Sequence, residues 1–353
     1  SKKEYELVYG GKEREEDIIA ETMAVPLQPV KTLGKDGNNN GWVNKLIFGD
    51  NLQILKTLYN DPEVKGKVKL IYIDPPFGTG DEYGFNESAA YSAKTVGAKF
   101  IEFLRKRLVL LRELLAEDGS IYVRMDYHFG HYVKVVMDEV FGQENFLNEI
   151  VINRFKRQLS GIKKFNVATD SLFFCSKSNS PEFREILRKR ICSFCGQEVE
   201  PVWRGMSSPG LRRPPERIIF GKKMLPPQGR HWTFTQERIE QLVKEKRIRM
   251  NEGISYTDLE GNKVRGLPEY LQTEDTPADS NWTDLKGYVF NAKYPTENPE
   301  ELLERVLKVS SDEGDLVIDV FAGSGTTLAV AEKLKRHWIG VDCGKLAIYT
   351  MQK

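Results

Sequence analysis

From Asn44 onward, apolar residues alternate between short unbroken runs and helical spacing. Leu46-Ile47-Phe48 is a brief apolar run closed by Gly49-Asp50. Leu52, Leu55 and Leu58 then recur at helical spacing, which predicts a strand followed by a helix over Leu52–Tyr59. Val68 to Ile73 reads as a buried strand that stops at Asp74-Pro75-Pro76-Phe77, because consecutive prolines neither donate to a sheet ladder nor enter a helix interior. A helix over Phe100–Leu115 ends at Asp118-Gly119, a strand follows at Ser120–Val123, and a helix at Gly130–Val140. Between about Asn153 and Asp284 the alternation breaks down. Proline, glycine and arginine accumulate there, as in Ser208-Pro209-Gly210-Leu211-Arg212-Arg213-Pro214-Pro215, and one clear helix is predicted over Gln236–Lys246. The alternation resumes with a helix at Glu300–Val309 and a strand at Leu316–Asp319. A glycine-rich turn from Phe321 to Thr327, a helix at Leu328–Leu334 and a strand at Trp338–Val341 ending in Asp342 complete it. Such alternation implies an α/β domain, a parallel sheet with helices on both faces, split in sequence by an inserted module. The expected divisions are a polar N-terminal arm with little core at 1–42, a first half at 43–152, the module at 153–285 and a second half at 286–353.

Composition narrows the class. At 40% apolar and 29% charged residues the chain is an ordinary globular protein. No run of about 18 apolar residues suggests a membrane span, and the charged Ser1-Lys2-Lys3-Glu4 does not read as a leader. The chain opens on Ser and breaks off at Lys353 within a helical pattern, so a longer natural chain is expected. Four cysteines (Cys175, Cys192, Cys195 and Cys343) make no disulfide framework, and a reducing cytoplasm is the expected compartment. The net charge of +1 hides an asymmetry: residues 151–250 hold 22 Lys and Arg against 9 Asp and Glu, a net of +13. An excess sustained over this length points to a polyanion-binding segment.

Two motifs carry chemistry. In the first, the strand Leu316–Asp319 runs through Gly323 and Gly325 into a helix, and the acidic Asp342 lies at the tip of the next strand. Glycines at a strand end admit a ligand to the backbone, the helix start offers free N–H groups, and an acid at the following strand end suits ribose hydroxyls. The pattern reads as a site for an adenosine-containing cofactor. A dinucleotide dehydrogenase is the rival, but its third glycine is Leu328 here, and Thr326-Thr327 supplies no phosphate-binding lysine. In the second motif, Asp74-Pro75-Pro76-Phe77 puts a carboxylate, a rigid carbonyl and an aromatic ring at a strand end. The amino group of adenine or cytosine is a poor nucleophile because its lone pair is delocalised into the ring. Asp74 and the Pro75 carbonyl can each accept an amino hydrogen and localise that lone pair, and Phe77 can stack on a base that has left the helix.

These segments together resemble the amino-directed DNA methyltransferases of the β class, and in particular the modification subunits of type III restriction systems and their solitary relatives. Asp74-Pro75-Pro76-Phe77 matches the family's catalytic motif, and Asp319-Val320-Phe321-Ala322-Gly323-Ser324-Gly325-Thr326-Thr327 its cofactor motif. Phe48-Gly49-Asp50-Asn51, Tyr294-Pro295-Thr296-Glu297-Asn298-Pro299 and Gly340-Val341-Asp342 are similar to flanking cofactor segments, and Asn281-Trp282-Thr283-Asp284 and Pro227–Trp232 to further signatures. The resemblance implies a circularly permuted, Rossmann-like S-adenosylmethionine methyltransferase sheet with an inserted, basic target-recognition module. It implies catalysis by Asp74, Pro75, Pro76 and Phe77. It implies S-adenosylmethionine held by Asp50, Asp74, Thr296, Asp319, Phe321, Ala322, Gly323, Ser324, Gly325, Thr326, Thr327 and Asp342. The partner implied is double-stranded DNA, with a homodimer and a restriction subunit admitted as further partners. Asp-Pro-Pro favours adenine N6 as the target. Cytosine N4 and a catalytically idle DNA-binding subunit stay open. The chain departs from the family at Val320, where proline is usual, and at Phe77, where tyrosine is commoner.

Arg154, Lys156, Arg157, Lys163 and Lys164 follow the first half directly and are candidate phosphate grips; Arg212, Arg213 and Arg230 are candidate DNA contacts in the module. Cys192 and Cys195 form half of a zinc knuckle without a second pair, so no metal is expected. His128 and His131 have no assigned role in a methyl transfer that needs no strong base.

Overall fold

The computed structural model describes residues 5–31, 41–76, 97–154, 160–161, 163–189, 200–272, 275–285 and 297–352. Two compact units emerge: residues 1–186 with 279–353, and Leu187–Ala278.

The first unit contains α1 (Glu15–Glu21), β1 (Lys45–Phe48), α2 (Asn51–Tyr59), β2 (Val68–Ile73), α3 (Ala98–Leu114), β3 (Leu115–Met125), α4 (Gly130–Phe141), β4 (Phe146–Asn153) and β5 (Thr169–Ser176). After the insertion come β6 (Asn281–Trp282), α5 (Glu300–Ser310), β7 (Leu316–Asp319), α6 (Thr326–Lys333), β8 (His337–Asp342) and α7 (Lys345–Met351). The strands form one eight-stranded sheet in the order β1-β8-β7-β2-β3-β5-β4-β6. The stretch from β1 to β3 is parallel, as expected. The far side is not: β5 runs antiparallel to both β3 and β4, so the sheet is mixed. An antiparallel return needs no crossover helix, which is why the segment between β4 and β5 lacks helical spacing.

Alternate residues of β2 serve opposite faces. Ile71 and Ile73 join one core beneath α2, α3 and α4, while Leu70 and Tyr72 join the other with Leu302, Leu303, Val306 and Leu307 of α5. The residues Asp118-Gly119 do not end a helix. α3 stops at Leu114 and passes straight into β3, where Gly119 crosses the β2 backbone. A Cβ on Gly119 would lie 2.6 Å from the Val68 carbonyl oxygen and 3.0 Å from that of Ala116, neither of which can swing aside. Gly119→Ala is therefore expected to destabilise the protein by about 1–3 kcal/mol, seen as a lower urea midpoint at unchanged slope.

The N-terminal segment is more firmly seated than its polarity predicts. Ile18 is buried in the core, and Leu7, Tyr9, Ile19 and Val25 pack against it. Tyr5 Oη donates to Asp138 at 2.7 Å, and Tyr9 Oη to Glu102 at 2.5 Å. Its amphipathic pattern is too short to register as periodicity; its anchors are partners about a hundred residues away.

The second unit has its own core, built on Met206, Ile219, Trp232, Ile239, Leu242 and Ile248. It holds an antiparallel sheet of Ile248–Thr257, Lys263–Gln272 and Val202–Gly205, and a helix at Gln236–Lys244. That helix ends before Lys246, which takes a positive φ of 57°. The compact unit is narrower than the expected module, since β5 and β6 belong to the large sheet. Among the described residues no helix is long and apolar enough to cross a membrane.

Candidate active site

Four adjacent parallel strands, β1, β8, β7 and β2, end in Phe48-Gly49-Asp50, Asp342, Asp319 and Asp74 respectively. The register sets Phe48 beside Asp342 and Asp319 beside Gly340. Carboxyl ends of parallel strands, where the order switches between chain segments, are the usual ligand crevice of such sheets.

Asp319 is buried, and its Oδ1 accepts from the Phe321 N–H at 2.9 Å. Burial pushes its carboxyl up to about 7, and the nearby Asp74 and Asp342 charges add to the rise. Asp342 accepts from Gly323 N at 2.8 Å through one oxygen and from Gly344 N at 2.7 Å through the other. Burial raises it too, against those backbone hydrogen bonds. Within the turn, Ser324 and Thr326 hydroxyls share a 2.7 Å hydrogen bond. Phe321, Ala322, Gly325, Thr326 and Thr327 are buried, and Gly325 holds a φ of 83° that favours glycine. The missing third glycine is replaced from across the contact. At Gly340 of β8 a Cβ would lie 2.2 Å from Leu328 Cδ1, so the strand, rather than the helix, makes room for their close approach.

Asp50 caps α2, its Oδ1 accepting from Leu52 N at 2.8 Å. The neighbouring Asn51 is fully buried; it donates to the Val320 carbonyl at 2.7 Å and accepts from Arg107 Nε at 2.5 Å. Arg107 also lies 3.6 Å from Asp50. The Gly-Asp segment and the glycine turn are thus tied to each other directly through Asn51, which Arg107 of α3 holds in place.

Asp74 follows β2, its side chain 16% exposed, with Pro75 buried behind it. Asn298 Nδ2 donates to Asp74 Oδ2 at 3.0 Å. The Asn298 side-chain Oδ1 accepts from the Arg124 guanidinium, which stands 3.9 Å from the same Asp74 oxygen. Burial raises the Asp74 carboxyl, while Arg124 and Asn298 hold it down. Arg124 is itself fully buried and donates to Asp170 at 2.8 Å. Arg154 bonds the other Asp170 oxygen at 2.8 Å and reaches Asp126 at 3.4 Å, and Asp126 holds His128 Nδ1 at 2.7 Å. A cation–carboxylate chain therefore runs behind Asp74 through β3, β5 and the end of β4.

Sequence reasoning missed Arg124, Asp170 and the specific role of Asn298. A signal was available for the first: Arg124 is a lone charge inside the apolar run Ile121–Met125. Arg154, read as a phosphate grip, has its guanidinium on two buried carboxylates. Lys163, Lys164, Arg212 and Arg213 are exposed. Arg230 donates to the Ser207 hydroxyl at 2.9 Å. Phe77, Lys156, Arg157, Cys192, Cys195 and Thr296 lie outside the described residues.

The family model for N6/N4 DNA methylases matches residues 68–353. The chain is 32% identical over 326 residues to the type II methyltransferase M.EcaI of Enterobacter cloacae, covering 88% of this chain and 69% of that one. It is 26% identical over 371 residues to the probable type III restriction-modification enzyme HindVI Mod subunit of Haemophilus influenzae, covering 85% of this chain and 48% of that one. It thus spans about half the length of that Mod subunit. Among solved structures, the cytosine-N4-specific PvuII DNA methyltransferase is similar with a TM-score of 0.48 at 14% identity, covering 88% of this chain and 86% of that one.

Proposed function

The chain belongs to the family of N6/N4 DNA methylases, whose methyl donor is S-adenosylmethionine, and we propose that it methylates adenine N6 in a base turned out of double-stranded DNA. The observation that carries this reading is Asp74: a carboxylate held by Asn298 and Arg124 at the strand end next to Asp319. The Asp-Pro-Pro motif supports adenine over cytosine.

The residues fit the cofactor. Asp319, Asp342 and Asp74 raise or crowd one another in a buried place, which suits a cationic ligand. Asp342 keeps carboxylate lone pairs beyond the two its backbone partners use, and these suit ribose hydroxyls. Asp50, at the end of the outermost of the four strands, would meet the adenine side. When bound, S-adenosylmethionine supplies an electrophilic methyl group on a sulfonium. The chain supplies the rest. Asp74 and the Pro75 carbonyl accept the two amino hydrogens and turn the nitrogen lone pair out of conjugation. Arg124 and Asn298 favour the ionised form of the Asp74 carboxylate against the rise that burial imposes, and Phe77 stacks on the base. The gain is one of orientation and of placed charge.

The turned-out base comes from double-stranded DNA, and Lys163, Lys164, Arg212, Arg213 and Arg230 are proposed to contact it. By analogy with the Mod subunits among its relatives, a restriction subunit is a proposed partner, and a second copy of the chain another. Cys175 is a buried free thiol, in keeping with a reducing cytoplasm as the proposed compartment.

Mass spectrometry of nucleosides from unmethylated DNA incubated with protein and S-adenosylmethionine tests the reading. N6-methyladenine supports it. N4-methylcytosine keeps the mechanism and replaces the base. Absence of any methylated base, with cofactor still bound, leaves the idle DNA-binding subunit.

Asp319 gives the cofactor step a pH signature. Protonated, it contributes no charge to hold a sulfonium; affinity is expected to rise as pH climbs through about 7. The stability of the cofactor-free fold runs the other way. The raised carboxyl binds its proton more tightly when folded, so this contribution is present below the ordinary carboxylate range and fades as pH rises through about 7. Calorimetric titration in buffers of different ionisation enthalpy should find proton release near neutrality. Binding that neither tightens with pH nor releases protons would remove Asp319 from the site.

A further inference from the structure

We propose that a hairpin of the second unit, Arg217 to Met224, is a DNA wedge whose tip residue Phe220 inserts between base pairs while Lys222 and Lys223 face phosphates; this rests on the reading of the chain as acting on double-stranded DNA. The strands Arg217–Ile219 and Lys222–Met224 pair with Ile219 opposite Lys222, so Phe220 and Gly221 alone make the turn. Their φ values are 49° and 76°, the two-residue arrangement that matches hairpin twist and selects Asn-Gly or Asp-Gly. A phenylalanine at the first position crowds its Cβ against the backbone.

Neither folding nor packing accounts for that residue. Among the described residues two other non-glycines, Lys246 and Lys335, have positive φ, and each closes a helix. Arg247 N bonds the Leu242 carbonyl at 2.9 Å, and Arg336 N bonds that of Ala331 at 2.8 Å. Phe220 closes no helix and is 47% exposed, with Ile218 at 56%. The stem, by contrast, is rigidly mounted. The Gln236 side chain accepts from Ile218 N at 2.9 Å and donates to its carbonyl at 3.0 Å. Trp232 Nε1 donates to the Met224 carbonyl at 3.1 Å, and Ile219 and Met224 are buried. A strained, exposed aromatic tip on a fixed stem points to a partner that the tip enters.

The surrounding charge identifies the partner. Lys222 and Lys223 are exposed beside the tip, with Arg212 and Arg213 exposed a few residues upstream; Lys223 lies 3.3 Å from Glu216. An apolar residue among cations matches a polymer with an anionic exterior and an apolar stack inside, and apolar wedges at base steps are a known way of opening duplexes.

Two variants of the full chain, Phe220→Asn and Phe220→Leu, separate this role from a structural one. Their melting temperatures and their affinities for a labelled duplex, perfectly paired or with one mismatch, would be measured. Asparagine tolerates the turn conformation, so Phe220→Asn should keep or raise the melting temperature. It should nonetheless weaken binding about tenfold, the order of one aromatic–base stack, and lose the wild-type preference for the mismatched duplex, which is already partly unstacked. Phe220→Leu should keep most of the binding. A Phe220→Asn protein that binds both duplexes like wild type, melts lower, or changes only its oligomeric state overturns the wedge. In the first case wild-type methylation of DNA still stands; a wild type that neither binds nor methylates DNA removes both readings.

Discussion

Replacing Asp74 with alanine is expected to lower methyl transfer by about 10²–10⁴-fold, the range for loss of a placed acid–base or charge-stabilising group, with the cofactor still bound. Truncation removes the carboxylate that accepts an amino hydrogen; the strand, the glycine turn and Asp342 are untouched. A second effect comes with it. Asp74 is one of the charges that raise the Asp319 carboxyl, so its removal should move the midpoint of pH-dependent cofactor binding to lower pH. Single-turnover transfer and equilibrium cofactor binding, measured on the same preparation, check the two effects. Transfer that survives in the variant would mean that another group accepts the amino hydrogen.

The second large effect concerns the groups behind Asp74. Arg124 and Asn298 both lower its carboxyl against the rise that burial imposes. Transfer needs that carboxyl ionised, so activity should fall as pH drops through its raised value. In Asn298→Ala, and in Arg124→Met, the acid limb of the pH–rate profile should move toward neutrality. The rate at neutral pH should fall about tenfold to a hundredfold, since a hydrogen bond to a charged group is worth roughly 1.5–3 kcal/mol. Arg124→Met also takes from Asp170 a cation that it pairs with in a fully buried place, and breaking such a pair costs about 3–5 kcal/mol. This variant may be assayed only where its melting curve shows a folded protein; Asn298→Ala carries no comparable penalty. A lower rate with an unmoved acid limb would make Asn298 a structural residue and not a positioning one.

The two motifs were legible because each is local: a strand, a break imposed by prolines or glycines, and an acid at a strand end. The family resemblance then implied a permuted sheet, and β2, β7 and β8 set Asp74, Asp319 and Asp342 on adjacent strands. The support for Asp74 was not legible, because it depends on how β5 returns. Leu172–Cys175 fell inside the expected module, and nothing local to that run says that it slides between β3 and β4, the event that carries Asp170 under Arg124. Seating of the N-terminal segment escaped notice for a similar reason: Tyr5 and Asp138 lie 133 positions apart, beyond any local pattern. Leu328 was correctly seen to depart from a dinucleotide motif, but the glycine that compensates, Gly340, stands on a different element.

The pairing of β2 also has a bearing on synthesis at the ribosome. One edge of β2 is covered early by β3, but the other waits for β7, and Val68 meets Leu316 only after about 250 further residues have been made, roughly ten to fifty seconds of translation at typical rates. Until then a strand reading Val-Lys-Leu-Ile-Tyr-Ile presents open backbone hydrogen-bonding groups, the kind of edge on which nascent chains aggregate. Yield of this protein in a host cell should therefore depend on chaperone supply, and fragments truncated before Leu316 should accumulate in inclusion bodies.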